Sequence, residues 1–126
     1  MSNSQSALIS IYTTKGDAEA FLLYPYLFNR SGEWVGFVTP GREVYSVLGD
    51  YVGALTNDPR IVRKRATSTL KPRLKPPPIP QKVYPPALTP LPRMMSDLSH
   101  SVIDVLLDAP ELLHTIDAGE KRQDLD

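Results

Sequence analysis

The chain has 126 residues, with 14 Lys and Arg against 14 Asp and Glu and no cysteine. This length holds one small domain and a tail. Zero net charge creates no field that draws nucleic acid or a membrane surface, and the absence of thiols excludes disulfides, thiolate zinc sites and cysteine nucleophiles.

The opening MSNSQSALISIYTT lacks the basic residues and long apolar run of a signal peptide. Nothing in the chain approaches the roughly 20 apolar residues of a membrane helix. A soluble, cytoplasmic protein with no membrane span is expected. Neutrality hides segregation: residues 1–59 carry 3 basic and 6 acidic side chains, 60–93 carry 9 basic and none acidic, and 97–126 carry 2 basic and 8 acidic. Three units follow: 1–65, rich in aromatics; 66–93, holding 9 of the 13 prolines; and 94–126, rich in Leu and Asp.

In the first unit, Leu8–Tyr12, Tyr26–Phe28 and Val44–Val47 are β-branched and aromatic runs bounded by Thr14–Asp17, Asn29–Gly32 and Leu48–Asp50. This is strand–turn–strand patterning. Gly16, Gly32 and Gly49 supply positive φ in the turns. Aligning them exposes an internal repeat of 16 and 17 residues. An aromatic residue stands four before each glycine (Tyr12, Phe28, Tyr45), and a small residue four after (Ala20, Gly36, Gly53). Positions two, four and six after the glycine are expected on one strand face, which places Trp34, Val38, Tyr51 and Leu55 in the interior. Arg60–Arg65 reads as one more strand, its charges suited to a sheet edge, for about seven strands in all.

Residues 71–92, KPRLKPPPIPQKVYPPALTPLP, are expected to form an extended polyproline II arm. Beyond it, a helix capped by Ser96 or Ser99 is expected to carry Leu98, Val102, Val105 and Leu106 on one face, available to dock a partner. Pro110 interrupts it, and the final AGEKRQDLD reads as a disordered acidic tail.

The stretches YTTKGDAEAF, FNRSGEWVGF and YSVLGDYVGA resemble the repeat of the bacterial family described as the four-fold β-flower, over about residues 7–65. The resemblance implies a shallow, symmetric antiparallel β-barrel of four hairpin petals around an apolar interior, with no established activity and no catalytic residues. Three units are evident here. The fourth is expected to be degenerate and to include Arg60–Arg65, or to be completed by the N-terminal strand or another subunit. The fold expected is therefore mainly β, a small antiparallel β-barrel of repeated hairpins followed by a proline-rich arm and a short C-terminal α-helix.

Signals for chemistry are weak. GEWVGFV holds neither the G-x-G-x-x-G of a dinucleotide fingerprint nor the GK[ST] of a P-loop. His100 and His114 lie near Asp97, Asp104 and Asp117, but helical spacing brings together only two groups, short of a metal site. Ser96 or Ser99 with these residues makes a nominal Ser-His-Asp set without a rigid scaffold. Asp17, Glu33 and Asp50 beside the turn glycines read as solvated turn ends, the alternative being a cation-binding ring. The run Arg60–Lys75 reads as a solvated linker pairing with the acidic tail rather than a nucleic-acid site. Pro77–Lys82 matches P-x-x-P-x-K, a polyproline ligand form, and equally suits a spacer. No cofactor and no metal is expected. The expectation is a non-catalytic β-barrel module for protein–protein interaction or assembly, through the arm and the C-terminal helix, with another protein or a second copy as partner. The alternative is a small apolar or lipid-like ligand in the barrel interior.

Overall fold

In the computed structural model, residues 8–65 and 71–117 are described. They form one antiparallel sheet of eight strands in chain order: β1 (Ile9–Tyr12), β2 (Ala18–Leu23), β3 (Tyr26–Phe28), β4 (Trp34–Val38), β5 (Glu43–Ser46), β6 (Tyr51–Leu55), β7 (Ile61–Lys64) and β8 (Val102–Asp104). A single helical turn, α1 (Val105–Asp108), and a 3-10 turn (Pro110–Leu112) follow. The acidic tail from residue 118 lies outside the described residues.

The turn chemistry works as the repeat requires. Gly16, Gly32 and Gly49 have φ of +92°, +83° and +88°, where side-chain-bearing residues are strained. Each donates its N–H to the carbonyl three residues earlier, that of Thr13, Asn29 or Ser46. The side-chain oxygens of those same three residues accept from turn N–H groups. A Thr, Asn or Ser three before the glycine is thus part of the motif, each bonding its own turn as this residue class does.

The face assignment changes at a β-bulge. All three petals shift register at the same place: Ile11 pairs Ala20 but Tyr12 pairs Ala18; Leu27 pairs Gly36 but Phe28 pairs Trp34; Val44 pairs Gly53 but Tyr45 pairs Tyr51. The unpaired residues are Glu19, Val35 and Val52. An extra residue inverts the alternation beyond it. Trp34 therefore shares a face with Phe28 rather than with Val38, and Tyr51 shares one with Tyr45.

One cluster fills the concave interior, with Ile11, Leu27, Val44 and Ile61 each 0% exposed. These four recur at 16, 17 and 17 residues and reveal the fourth copy of the repeat. Five residues past Ile61, where the other copies have glycine, stands Ala66, outside the described residues. The fourth petal is β7 with β8 (Val62 beside Asp104, Lys64 beside Val102), and residues 65–101 are its connection. Two expectations are corrected here. Eight strands lie among the described residues, not seven, and the strand after Arg60 is covered by β8 rather than forming an edge. The helix expected across residues 96–106 begins only at Val105, because Val102–Asp104 gains a strand partner in β7.

Past β8 the chain folds back onto the sheet. Val105 is fully buried, Leu113 joins the interior cluster, and Leu106 and Leu112 pack against it. The small residues of the repeat allow this closeness. A Cβ on Gly36 would lie 2.5 Å from the Tyr45 carbonyl oxygen and 2.8 Å from a Leu113 methyl, and one on Gly53 would lie 2.2 Å from the Val62 oxygen.

Candidate functional site

The proline-rich arm is a strap laid around the outside of the petals. It meets the turn glycines in reverse order at nine-residue intervals. Leu74 N–H donates to Gly49 O (3.1 Å), Val83 N–H donates to Gly32 O (3.0 Å), and Pro92 lies 3.6 Å from where a Gly16 Cβ would be. Proline-rich chain has no internal hydrogen bonds, so its few free amides are available to the turns. Petal side chains complete the seating: Tyr26 Oη donates to Pro78 O (2.8 Å) and Tyr12 Oη to Pro90 O (2.7 Å). Phe28, Trp34 and Val47 form a second cluster that Val83 and Ile116 cover from outside.

Charge follows the same logic. Arg73 pairs with Asp50 at 2.7 Å and Lys71 pairs with Glu43. The Lys71 ammonium also lies 5.0 Å from the Tyr51 ring centroid, within cation–π range. The hydrogen bond from Lys71 holds the Glu43 carboxyl below its usual range and raises Lys71 in turn. Burial pushes the Tyr45 hydroxyl up. Arg63 Nη1 donates to Tyr51 O and Val52 O, and Arg65 Nε to His100 O. The basic run from Arg60 to Lys75 thus serves largely as internal mortar.

A polar seam joins the fourth petal to the first. Asp104, 2% exposed, accepts from Thr14 N–H and Thr14 Oγ1, both at 2.6 Å. Arg60, 1% exposed, donates to Thr14 Oγ1 (3.1 Å), Asp58 (2.6 Å) and Ser96 O (2.7 Å). Its hydrogen bond is the main cause holding the Asp58 carboxyl below the usual range, with Thr56 adding a second. Among the described residues Arg60 Nε and Asp104 Oδ1 find no hydrogen-bond partner. This seam has no clear sequence signal. Arg60 reads as a surface charge until Ser96 and Asp104 are brought over it.

The remaining candidates separate. Tyr12, Phe28 and Tyr45 are buried, Tyr12 and Phe28 against the strap and Tyr45 stacked on Phe37; Ala20 is buried and lies with Val38 and Leu55 in the interior cluster. Trp34 is in the outer cluster, its Nε1 donating to Gly36 O, and Tyr51 is half-buried beneath Lys71 and Arg63. The interior is therefore filled by the chain's own aliphatic side chains. Of the residues expected on a docking helix, Leu98 is half-buried before β8, Val102 lies on β8, and Val105 and Leu106 pack into the chain's own core. Asp50 is paired with Arg73, Glu33 accepts from Asn29, and Asp17 lies at its turn. His114 Nδ1 lies 3.0 Å from Thr115 O, and His100 is exposed. Among the described residues no three His, Cys, Asp or Glu gather, and no helix is long and apolar enough to cross a membrane.

Four hairpins in succession around one apolar interior find their counterpart in a known family. The model of the 4-fold beta flower protein family matches residues 9–101 of the 126. The chain belongs to this family. The match takes in the strap as well as the first three petals of the flower, a longer span than the repeat alone marks. No curated protein matches the chain, and no solved structure does.

Proposed function

We propose that this flower is a non-catalytic protein-binding module that presents its proline-rich strap, backed by the petals, to a partner. One observation carries the reading. The strap turns Ile79, Tyr84, Leu88, Leu91 and Met94 outward at 70%, 85%, 89%, 93% and 97% exposure, while most large apolar side chains of the sheet are buried. Exposed apolar side chains gathered on one element mark an interaction surface. A polyproline-type segment held in place loses little entropy on binding and suits a groove lined by aromatic residues. The C-terminal segment contributes by anchoring: Ser96 O on Arg60 fixes the strap's end.

Against the alternative, an apolar ligand inside the barrel, stands the space already taken by Ile11, Leu27, Val44 and Ile61. The test is a photo-crosslinking residue at Tyr84 in cells, with and without serine at Ile79 and Leu88. The expected result is a discrete crosslinked protein, or a second copy of the chain, lost in the serine variant. A full-length chain that stays monomeric by light scattering and crosslinks to nothing refutes the reading.

A further inference from the structure

Each of the first three petals carries its second strand past the small residue to pair with the next petal. Leu22 and Leu23 lie beside Leu27 and Tyr26, Phe37 and Val38 beside Tyr45 and Val44, and Ala54 and Leu55 beside Val62 and Ile61. The fourth petal stops short. Asp104 pairs with Val62, so Val105 falls at the small-residue position, and Leu106 and Leu107 fall where Ala54 and Leu55 stand. There the chain leaves the sheet as α1. Leu107 is 37% exposed, whereas its counterparts Leu22, Val38 and Leu55 are buried.

The next strand round the ring, β1, is consequently left with one side unpaired. Tyr12 N–H points away from β2, to Pro59 O at 3.0 Å. Strand alternation turns the N–H and C=O of Ser10 the same way, and no backbone group among the described residues meets them. In front of them is a groove of about 620 Å³, floored by Ile11, Leu22 and Leu55, faced by the turn Thr56–Pro59 and bordered by Pro90 and Pro92 of the strap. A volume of this order is that of a ligand site.

We propose that this groove accepts one extended peptide segment of a partner protein, added antiparallel to β1 in the strand position the fourth petal leaves vacant. The repeat dictates the partner's chemistry. Its backbone must bond Ser10, so it has no proline at that point. A Leu or Val must stand beside Ile11 and point to the floor, as Val38 and Leu55 do beside Val44 and Ile61. Because β1 and the Thr56–Pro59 turn wall the groove on both sides, it fits a single strand. A second copy pairing β1 to β1 would bring its β2 along and collide. The inference is independent of the strap's outward face, and its test leaves that face unchanged.

The probe is a capped synthetic tetrapeptide, Leu-Thr-Val-Thr, with Leu beside Ile11 and the following residues along Ser10, Ile9 and Leu8, since Tyr12 N–H is already held by Pro59 O; it is titrated into the isotope-labelled full chain. The expected result is saturable NMR shifts at Ser10, Ile11, Leu22 and Leu55, with slowed exchange of the Ser10 amide. Ser10→Pro removes a donor that the β1–β2 ladder does not use, a substitution edge strands tolerate. It should weaken binding about tenfold, the worth of a strand hydrogen bond or two. A peptide N-methylated at the residues facing Ser10 tests the same bonds from the other side, without altering the protein. Shifts elsewhere, undiminished binding of the N-methylated peptide, equal binding of a scrambled peptide, or a Ser10 amide already protected in the free chain each overturn the proposal.

Discussion

Alanine at Gly16, Gly32 and Gly49 is the most informative perturbation, because the three turns are alike and their surroundings are not. All three residues have φ between +83° and +92°, so alanine costs each turn about 1–2 kcal/mol of backbone strain. At Gly16 the new methyl meets only Pro92 Cγ at 3.6 Å, an ordinary contact. At Gly32 it would lie 1.8 Å from Val83 O and 2.8 Å from Val83 C. These are backbone atoms with no side-chain rotation to relieve them, so the strap must lift. Lifting breaks the Val83 N–H bond to Gly32 O, worth about 0.5–1.5 kcal/mol net. It also removes half-buried Val83 from Phe28 and Trp34, on the order of 1 kcal/mol as part of a full valine burial. Gly16→Ala should therefore cost about 1–2 kcal/mol and Gly32→Ala about 3–4 kcal/mol. At about 4 °C per kcal/mol for a chain of this size, melting temperatures should fall by about 4–8 °C and 12–16 °C. Circular-dichroism melts give the stabilities, and limited proteolysis between residues 74 and 92 reads the strap. Gly32→Ala should expose the strap to cleavage while Gly16→Ala does not. Equal melting temperatures with an unchanged digest would refute the seating of the strap on the turns.

Val at Gly36 or Gly53 should cost well over about 3 kcal/mol, as overpacking against backbone does, and urea titration or loss of soluble expression will show it. Normal folding of both variants would contradict the repeat reading of these glycines. Arg60→Ala should cost about 2–4 kcal/mol by removing the guanidinium from Asp58 Oδ2, Thr14 Oγ1 and the Ser96 carbonyl, with Asp58 keeping its bond from Thr56, measured by the same titration. Asp58 has a lowered folded pKa, so its contribution is present above the unfolded value of about 3.9 and disappears as pH falls through the lower folded one. Acid titration of parent and Asp58→Asn should show the parent losing stability in that window and the variant lacking this component.

The petals are legible in the sequence because glycine, aromatic and small residues are each demanded by local geometry at a fixed period. The bulge at Glu19, Val35 and Val52 is not, since it is a backbone count, and a valine in two petals and a glutamate in the first look like ordinary strand residues; missing it put Trp34 and Tyr51 on the wrong face. The strap's nine-residue rhythm is equally silent. Leu74 and Val83 meet the turns through backbone atoms, so their side chains need not repeat. Strand β8 has only three residues, and its partner β7 is far away in the chain, so its helical neighbours Val105 and Leu106 dominate the pattern. The buried guanidinium of Arg60 is visible only once the seam is assembled.

The fourth petal differs from the others in one respect with consequences beyond geometry. Its two strands are joined by 37 residues, 65–101. Compared with a four-residue turn, closing that loop costs about 2 kcal/mol more chain entropy. The first three hairpins are wholly local and complete once residue 55 has been synthesised, whereas β7 must wait for Val102–Asp104. Folding is thereby ordered in time. A chain growing from its N-terminus builds three petals, then lays the strap over finished turns, and only then closes. An interrupted chain ending anywhere in the strap would leave one side of β7 as an open strand edge, the kind of edge that invites pairing with another chain.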